Sequence, residues 1–241
     1  MMISHSAIQI DNQLLAVLPS EEYQRLVPHL ELVSLERDQV LYELEEFIEY
    51  VYFPNQALVS LITIMENGAV VEVGVVGREG LVGLPVCWGG NTITNQAIVQ
   101  IPGTALRLKA EYLKNEFDRG GKLQYIILRY MQALFTHTSH SVACNRLHTI
   151  EQRLARWLLT VQDRVQSDEL PLTQEFLSYM LGTRRSGVTE AASALSQARM
   201  ISYSRGKIKI RDRQALESTS CECYQVVTKE FARLLGTRYL K

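Results

Sequence analysis

The chain has 241 residues, 46% hydrophobic and 21% charged, which excludes collagen-like, low-complexity and wholly disordered classes and leaves room for one large domain or two modest ones. The net charge of -1 hides a division: residues 148–241 carry 15 Lys and Arg against 10 Asp and Glu, and residues 1–147 carry 10 against 16. An acidic first part thus precedes a basic part suited to a polyanion. No apolar run reaches the roughly 18 residues of a membrane span, and the N-terminal MMISHSAIQIDNQ lacks the pattern of a leader. The expected location is the cytoplasm, with no membrane partner. Cys87, Cys144, Cys221 and Cys223 are too few and too scattered for a disulfide framework, so reduced thiols are expected.

Near residues 12–30, apolar Leu14, Leu15, Leu18, Tyr23, Leu26 and Val27, interrupted at Pro19-Ser20, predict two short helices. From about Glu31 to Leu108 the period becomes two. The run Val70, Val71, Glu72, Val73, Gly74, Val75, Val76 predicts a strand with valine on one side throughout, and Asn67-Gly68 before it predicts a type I′ hairpin turn. Repeated glycines beyond it suit a small antiparallel barrel or roll. After Gly120-Gly121, the residues Leu123, Ile127, Tyr130, Leu134, His137, Ser141 and Cys144 follow steps of four and three, a heptad seam on a helix over about 122–145. At about 36 Å this helix exceeds one small roll, and its seam is expected to meet a second copy through Leu123, Ile127, Tyr130, Leu134 and His137. The alternative is that this face packs wholly on its own barrel.

A further amphipathic helix is predicted over about 149–165, through Leu154, Trp157, Leu158 and Val161. After a linker at 167–172, Thr173 is a candidate N-cap. Residues 173–201 then divide into two helices about Gly182, with Thr183 placed to cap the second. In that second helix Val188, Ala191, Ala192 and Leu195 form an inward face. Arg185, Ser186, Thr189, Glu190 and Ser193 lie opposite, where a helix can meet base edges in a major groove. Downstream, residues 201–210 alternate about Arg205-Gly206 as a two-stranded wing. Arg205, Lys207, Lys209, Arg211 and Arg213, with Thr183 and Arg184, are the candidate phosphate contacts.

This order of acidic roll, long helix, helix-turn-helix and wing resembles the Crp/Fnr family of transcription regulators. The resemblance spans nearly the whole chain. Gly182, Arg185 and Val188 match that family's Gly-x-x-Arg-x-x-Val recognition signature. The resemblance implies an α+β fold: an N-terminal antiparallel β-roll, jelly-roll-like, over residues 1–118, a long dimerisation helix over 119–147 and a C-terminal winged helix-turn-helix over 148–241. It implies a homodimer on double-stranded DNA with a two-fold operator, and contact with RNA polymerase if the protein activates. Where cyclic-AMP-responsive members carry an acidic residue and an arginine after the recognition arginine, this chain has Ser186 and Glu190, so their operator is not carried over. Gly187 inside the recognition helix suits either close DNA approach or tight packing.

Cyclic-nucleotide-binding relatives hold the ribose with Gly-Glu and the phosphate with Arg-Ser or Arg-Thr. The matching segments here are Gly77-Arg78-Glu79-Gly80 and residues 91–97, and no arginine lies between Arg78 and Arg107. Thr94 and Asn95 offer hydrogen bonds without charge. Arg78, Glu79, Thr94 and Asn95 are therefore the candidate effector pocket, for an effector other than cyclic AMP or for none, and no cofactor is assigned. Arg78 and Glu79 also suit a turn ion pair or a domain contact. The cluster-bearing members have N-terminal cysteines, whereas this chain has none before Cys87. Cys221 and Cys223, with His148 or His5 as the recruits available, are read as ordinary packing in preference to a metal or redox site. His137 and His140 are read as interface or surface residues. No hydrolase elbow, phosphate loop or zinc-protease helix is present, so no catalytic residue is assigned. The competing reading is a small-molecule or thiol-redox receptor acting through protein contacts with a degenerate DNA domain.

Overall fold

The computed structural model describes residues 11–236, so His5 lies outside the described residues. The two short helices form as expected, α1 over Gln13–Ala16 and α2 over Ser20–Leu26. Asn12 caps α1 by accepting from the Leu14 and Leu15 N–H groups, and its amide donates to the carbonyls of Pro54 and Gly80, which fastens the entry of the chain to the roll behind it.

Seven strands build the roll: β1 (Glu31–Leu35), β2 (Val40–Tyr42), β3 (Tyr50–Pro54), β4 (Leu58–Ile64), β5 (Val70–Val76), β6 (Gln96–Ile101) and β7 (Gly103–Lys109). They pair antiparallel in two sheets, ordered β1-β7-β3 and β2-β6-β4-β5. Alternation directs Val51 and Phe53 of β3, Val59 of β4, Val99 of β6 and Leu106 and Leu108 of β7 into one shared core.

The hairpin between β4 and β5 forms with a different turn from the one expected. Gly68 alone has a positive φ, 80°, and Asn67 does not. The Met65 N–H donates to the Ala69 carbonyl, the Gly68 N–H donates to the Met65 carbonyl, and Asn67 accepts through its side chain from the Ala69 N–H. This is a three-residue loop with glycine in the left-handed position. The two-residue turn with both φ positive occurs instead at Arg205 (49°) and Gly206 (75°).

The single valine face expected of β5 is also corrected. A register shift between Leu61 and Ile62 breaks the alternation with β4, and both faces of the strand end are covered: Val76 enters the roll core, whereas Val75 joins a second core behind the sheet. A strand buried on both faces reads as an unbroken apolar run.

Beyond the roll come α3 (Ala110–Asp118), α4 (Gly121–Leu147) and α5 (Ile150–Val165). Glu22 on α2 accepts from the Lys122 and Leu123 N–H groups at the start of α4, supplying the anionic cap that Gly120 cannot. Thr149 opens α5 with a capping box to Gln152. Then follow β8 (Glu169–Leu170), α6 (Gln174–Met180), α7 (Arg185–Gln197), β9 (Ile201–Ser204), β10 (Lys207–Ile210), α8 (Arg213–Thr219) and α9 (Cys223–Leu235), with a small sheet ordered β8-β10-β9.

The second core gathers Leu154, Leu158 and Val161 of α5, Leu177 of α6, Val188 and Leu195 of α7 and Ile208 of the wing against Leu58, Ile62, Val75 and Ile101 from the outer face of the roll. Helix α5 is therefore sandwiched between the two halves. Helix α9 leaves this core: its Val227, Phe231 and Leu234 pack into the roll core beside α4, and Arg129 of α4 donates to the Leu234 carbonyl.

A carboxylate lies in the junction. Glu72, 8% exposed, accepts from Ser60 Oγ at 2.5 Å and from Trp157 Nε1 of α5 at 2.8 Å. Burial raises its carboxyl from 4.5 to about 7. An acid raised on folding contributes stability that is complete below its unfolded value and is lost as pH rises through the folded one. The wild type should lose about 3 kcal/mol through this group between pH 4.5 and pH 8. Denaturant unfolding of the wild type and Glu72→Gln across that range checks it; parallel pH profiles would refute it.

Candidate functional site

Helix α7 is amphipathic for a local reason that the packing confirms. Val188, Ala191, Ala192 and Leu195 recur at helical spacing and are buried, and Arg185, Ser186, Thr189, Glu190 and Ser193 are exposed together on the other side. Helix α6 enters at Thr173, which accepts from the Phe176 N–H, and Gly182 makes the inter-helix turn with φ 52°. The cap of α7 differs from expectation. Arg184 occupies that position without a side-chain cap bond, and Thr183 is tied through its N–H to the Ser178 carbonyl. Thr183 is half-buried and Arg184 exposed. Gly187 lies against α5: a Cβ there would come within 2.6 Å of Ile150 Cδ1, so a larger residue would have to push the end of the Ile150 side chain aside.

The hydroxyl of Thr189 lies 2.9 Å from Gln174 Oε1 and 3.0 Å from the Arg185 carbonyl. Gln174 thereby joins the exposed face of α7, and Gln174, Gln197 and Tyr203, which the sequence did not single out, share a shallow cleft with Ser193. Their signal was weak, since a glutamine at a helix end and a tyrosine in a strand are ordinary.

The wing presents Arg205, Lys207 and Lys209, all exposed, beside α7. Lys207 pairs with Glu169 of β8 at 2.8 Å and holds that carboxyl below its usual range; an exposed pair of this kind is weak enough for a phosphate to displace. Arg211 donates to Ser202 Oγ. Arg213 must be withdrawn from the phosphate candidates: its guanidinium meets Asp163 at 2.8 Å, and it also donates to Glu217, Gln162 and Tyr224. It serves the interior because Asp163, 7% exposed, needs a cation.

The four residues of the candidate effector pocket do not come together. Glu79, fully buried, pairs with Arg164 of α5 at 2.7 Å and accepts from the Gly77 N–H, so it is a contact between the halves and not a ligand group. Arg78 gives its carbonyl to the Gln13 N–H. Thr94 and Asn95 line a cavity of about 250 Å³, with Leu61, Leu81, Leu84, Trp88 and Leu134 among its walls, and Arg78 and Glu79 are not part of that lining. Asn95 donates to Thr63 Oγ1 at 2.8 Å. No cationic side chain lines it among the described residues.

The heptad residues of α4 are likewise corrected. Leu123, Ile127, Tyr130 and His137 are at most 3% exposed within the chain itself, and Leu134 packs against the same core. The seam faces the chain's own roll because a heptad pattern marks an apolar face without stating what covers it. Burial, with Arg164 and Arg156 nearby, holds His137 well below the usual histidine value, as the neutral imidazole. The outer side of α4 carries a second seam in the same steps: Tyr125, Leu128, Gln132, Phe135, Ser139, Val142 and Arg146 are all exposed, Phe135 at 74% and Val142 at 69%.

A roll joined through one long helix to a winged helix-turn-helix defines a regulator with a sensor-like half and a DNA-reading half. A cyclic nucleotide-binding domain model matches residues 32–119 and a Crp-like helix-turn-helix domain model matches residues 152–219; the chain belongs to the Crp/Fnr family of transcription regulators. FixK2 from Bradyrhizobium japonicum superposes with a TM-score of 0.69 at 18% identity, covering 80% of this chain and 98% of its own. TTHB099, a CRP-family regulator from Thermus thermophilus, gives 0.65 at 16%, covering 78% and 96%. The c-di-GMP responsive regulator CLP from Xanthomonas campestris gives 0.65 at 12%, covering 80% and 99%. No curated protein matches the sequence. Among the described residues no helix is long and apolar enough to cross a membrane.

Proposed function

We infer that the chain regulates transcription as a cytoplasmic homodimer that reads a two-fold DNA operator. The exposed polar face of α7, closed behind by its apolar face on α5 and flanked by the basic wing, carries this reading. Arg185, Ser186, Thr189 and Glu190 address base edges, with Gln174 orienting Thr189. Thr183, Arg184, Arg205, Lys207 and Lys209 hold phosphates. The second seam of α4 meets its copy, and an activating role would add contact with RNA polymerase. The effector is uncharged or absent: in the cavity beside Thr94 and Asn95 a cyclic phosphate would be desolvated without a counter-charge.

Selection on a randomised duplex pool, with and without cyclic AMP, tests this. An inverted repeat with half-sites about one helical turn apart is the expected product; enrichment that depends on cyclic AMP would overturn the effector reading. Arg185→Ala should cost about 1 to 3 kcal/mol and relax selection at one position. Lys209→Ala should weaken all sequences alike and lower the salt slope by about one. Equal losses on specific and non-specific DNA from both variants would refute the assigned face.

A further inference from the structure

Four side chains from two distant stretches of the chain converge where the long helix ends. Cys144 closes the inner seam of α4, His148 follows that helix as its C-cap, Cys221 precedes α9 and Cys223 opens it. Their ligand atoms all lie within 4.8 Å of one another. Cys144 Sγ is 3.5 Å from Cys221 Sγ, and Cys223 Sγ is 3.9 Å from His148 Nδ1. Bonds of about 2.3 Å to sulfur in a tetrahedron require sulfurs about 3.8 Å apart, so the spacing already suits one ion at the centre.

We propose that Cys144, His148, Cys221 and Cys223 form a closed four-ligand site for a single divalent metal ion of the zinc type. Three thiolates and an imidazole are the soft and borderline donors such an ion selects, and four protein ligands leave no open position for catalysis. Convergence on one point leaves no space for a cluster of several irons.

Two features distinguish this arrangement from ordinary cysteine packing. His148 turns Nδ1 toward the thiols, and its Nε2 lies 3.2 Å from Glu222 Oε2, the outer carboxylate that sets the tautomer of a metal-bound histidine. Charge is the second: three thiolates and a divalent cation sum to one negative charge, and Arg156 of α5, 6% exposed and with Nε unpartnered among the described residues, lies near Cys144 and Cys221 as the cation beside that anionic complex. Binding releases the three thiol protons to solvent. The ligands come from the end of α4, the joint to α5 and the start of α9, so the ion ties the long helix to the segment leaving the DNA-reading half. Joint and C-terminal helix become one rigid corner.

The full chain, purified reduced and stripped of metal by a chelator, is titrated with Co²⁺. One ion per chain should bind, with intense tetrahedral d–d bands and sulfur-to-cobalt charge transfer, and stoichiometric Zn²⁺ should bleach both. Glu222→Gln should weaken binding by about 10- to 100-fold, Cys221→Ser with Cys223→Ser by more than that, and Cys87→Ser should leave it unchanged. The side chain of Glu222 is 74% exposed, so its variant keeps the fold if the double variant does not; circular dichroism checks both. Folded, reduced wild type with no cobalt absorption would overturn the proposal, as would weak octahedral bands or full binding by a folded double variant. A Cys144–Cys221 disulfide with no cobalt bound after reduction would also refute it. The optical readout needs no DNA, so it stands or fails apart from operator binding.

Discussion

Glu79→Gln should destabilise the protein by about 3 to 5 kcal/mol, the scale of breaking a buried ion pair by removing one of its charges. Glu79 and Arg164 are 1% and 4% exposed at their side chains and meet at 2.7 Å. Arg164 keeps the Thr160 carbonyl and the face of Phe231, and Asp163 and Glu72 stay near enough to feel its charge, which sets the loss toward the lower end of that range. For a chain of this length the melting temperature should fall on the order of 10 °C. Joining Glu79→Gln to Arg164→Met should recover much of the loss, because removing both charges also removes their desolvation. Thermal unfolding of the four proteins of the cycle gives the coupling directly. A single variant melting within about 2 °C of wild type would show that the pair does not hold the joint. The pair links the turn after β5 to α5, and α5 carries the recognition helix, so a folded Glu79 variant should also bind its operator more weakly than wild type.

Phe135→Asp should convert the proposed dimer to monomer while leaving each chain folded. Phe135 is 74% exposed, so the substitution costs little internal packing; in a two-fold seam it would set a charge against its own copy in a desolvated centre. A loss of about 4 kcal/mol, roughly 1000-fold in dimer affinity, is the scale of a central interface residue. Sedimentation velocity measures it, and the two-fold operator should lose affinity in parallel. Ile127→Ala provides the contrast: Ile127 is buried in the chain's own core, so it should cost about 2 to 5 kcal/mol of folding stability without separating the dimer first. If Phe135→Asp sediments as wild type does, α4 does not pair through its outer face.

Much of the molecule was legible because its signals are local. The helix-turn-helix rests on a cap at Thr173, a left-handed glycine at 182 and helical spacing from Val188 to Leu195, all operating within a few residues. The wing follows from alternation about Arg205-Gly206, and the recognition face is simply what remains when the apolar face is turned inward. Arg213 was misjudged because its basic neighbours gave it the same local character, although a buried aspartate 50 residues earlier claims it. Asn67-Gly68 marked a hairpin correctly and its turn wrongly, since both a two-residue and a three-residue loop accept that dipeptide.

By itself, then, the order of residues determined the elements, their amphipathic faces and the class of fold, because periodicity, caps and turn residues act over one or two turns of chain. Tertiary structure alone decided what covers each face. The inner seam of α4 met its own roll and left Phe135 outside, Glu79 left the expected pocket for Arg164, and Cys144 met Cys221 across 77 positions. Such pairings depend on how whole elements fill the core and neutralise buried charge, and residues far apart in sequence carry no mark of which partner packing will bring them.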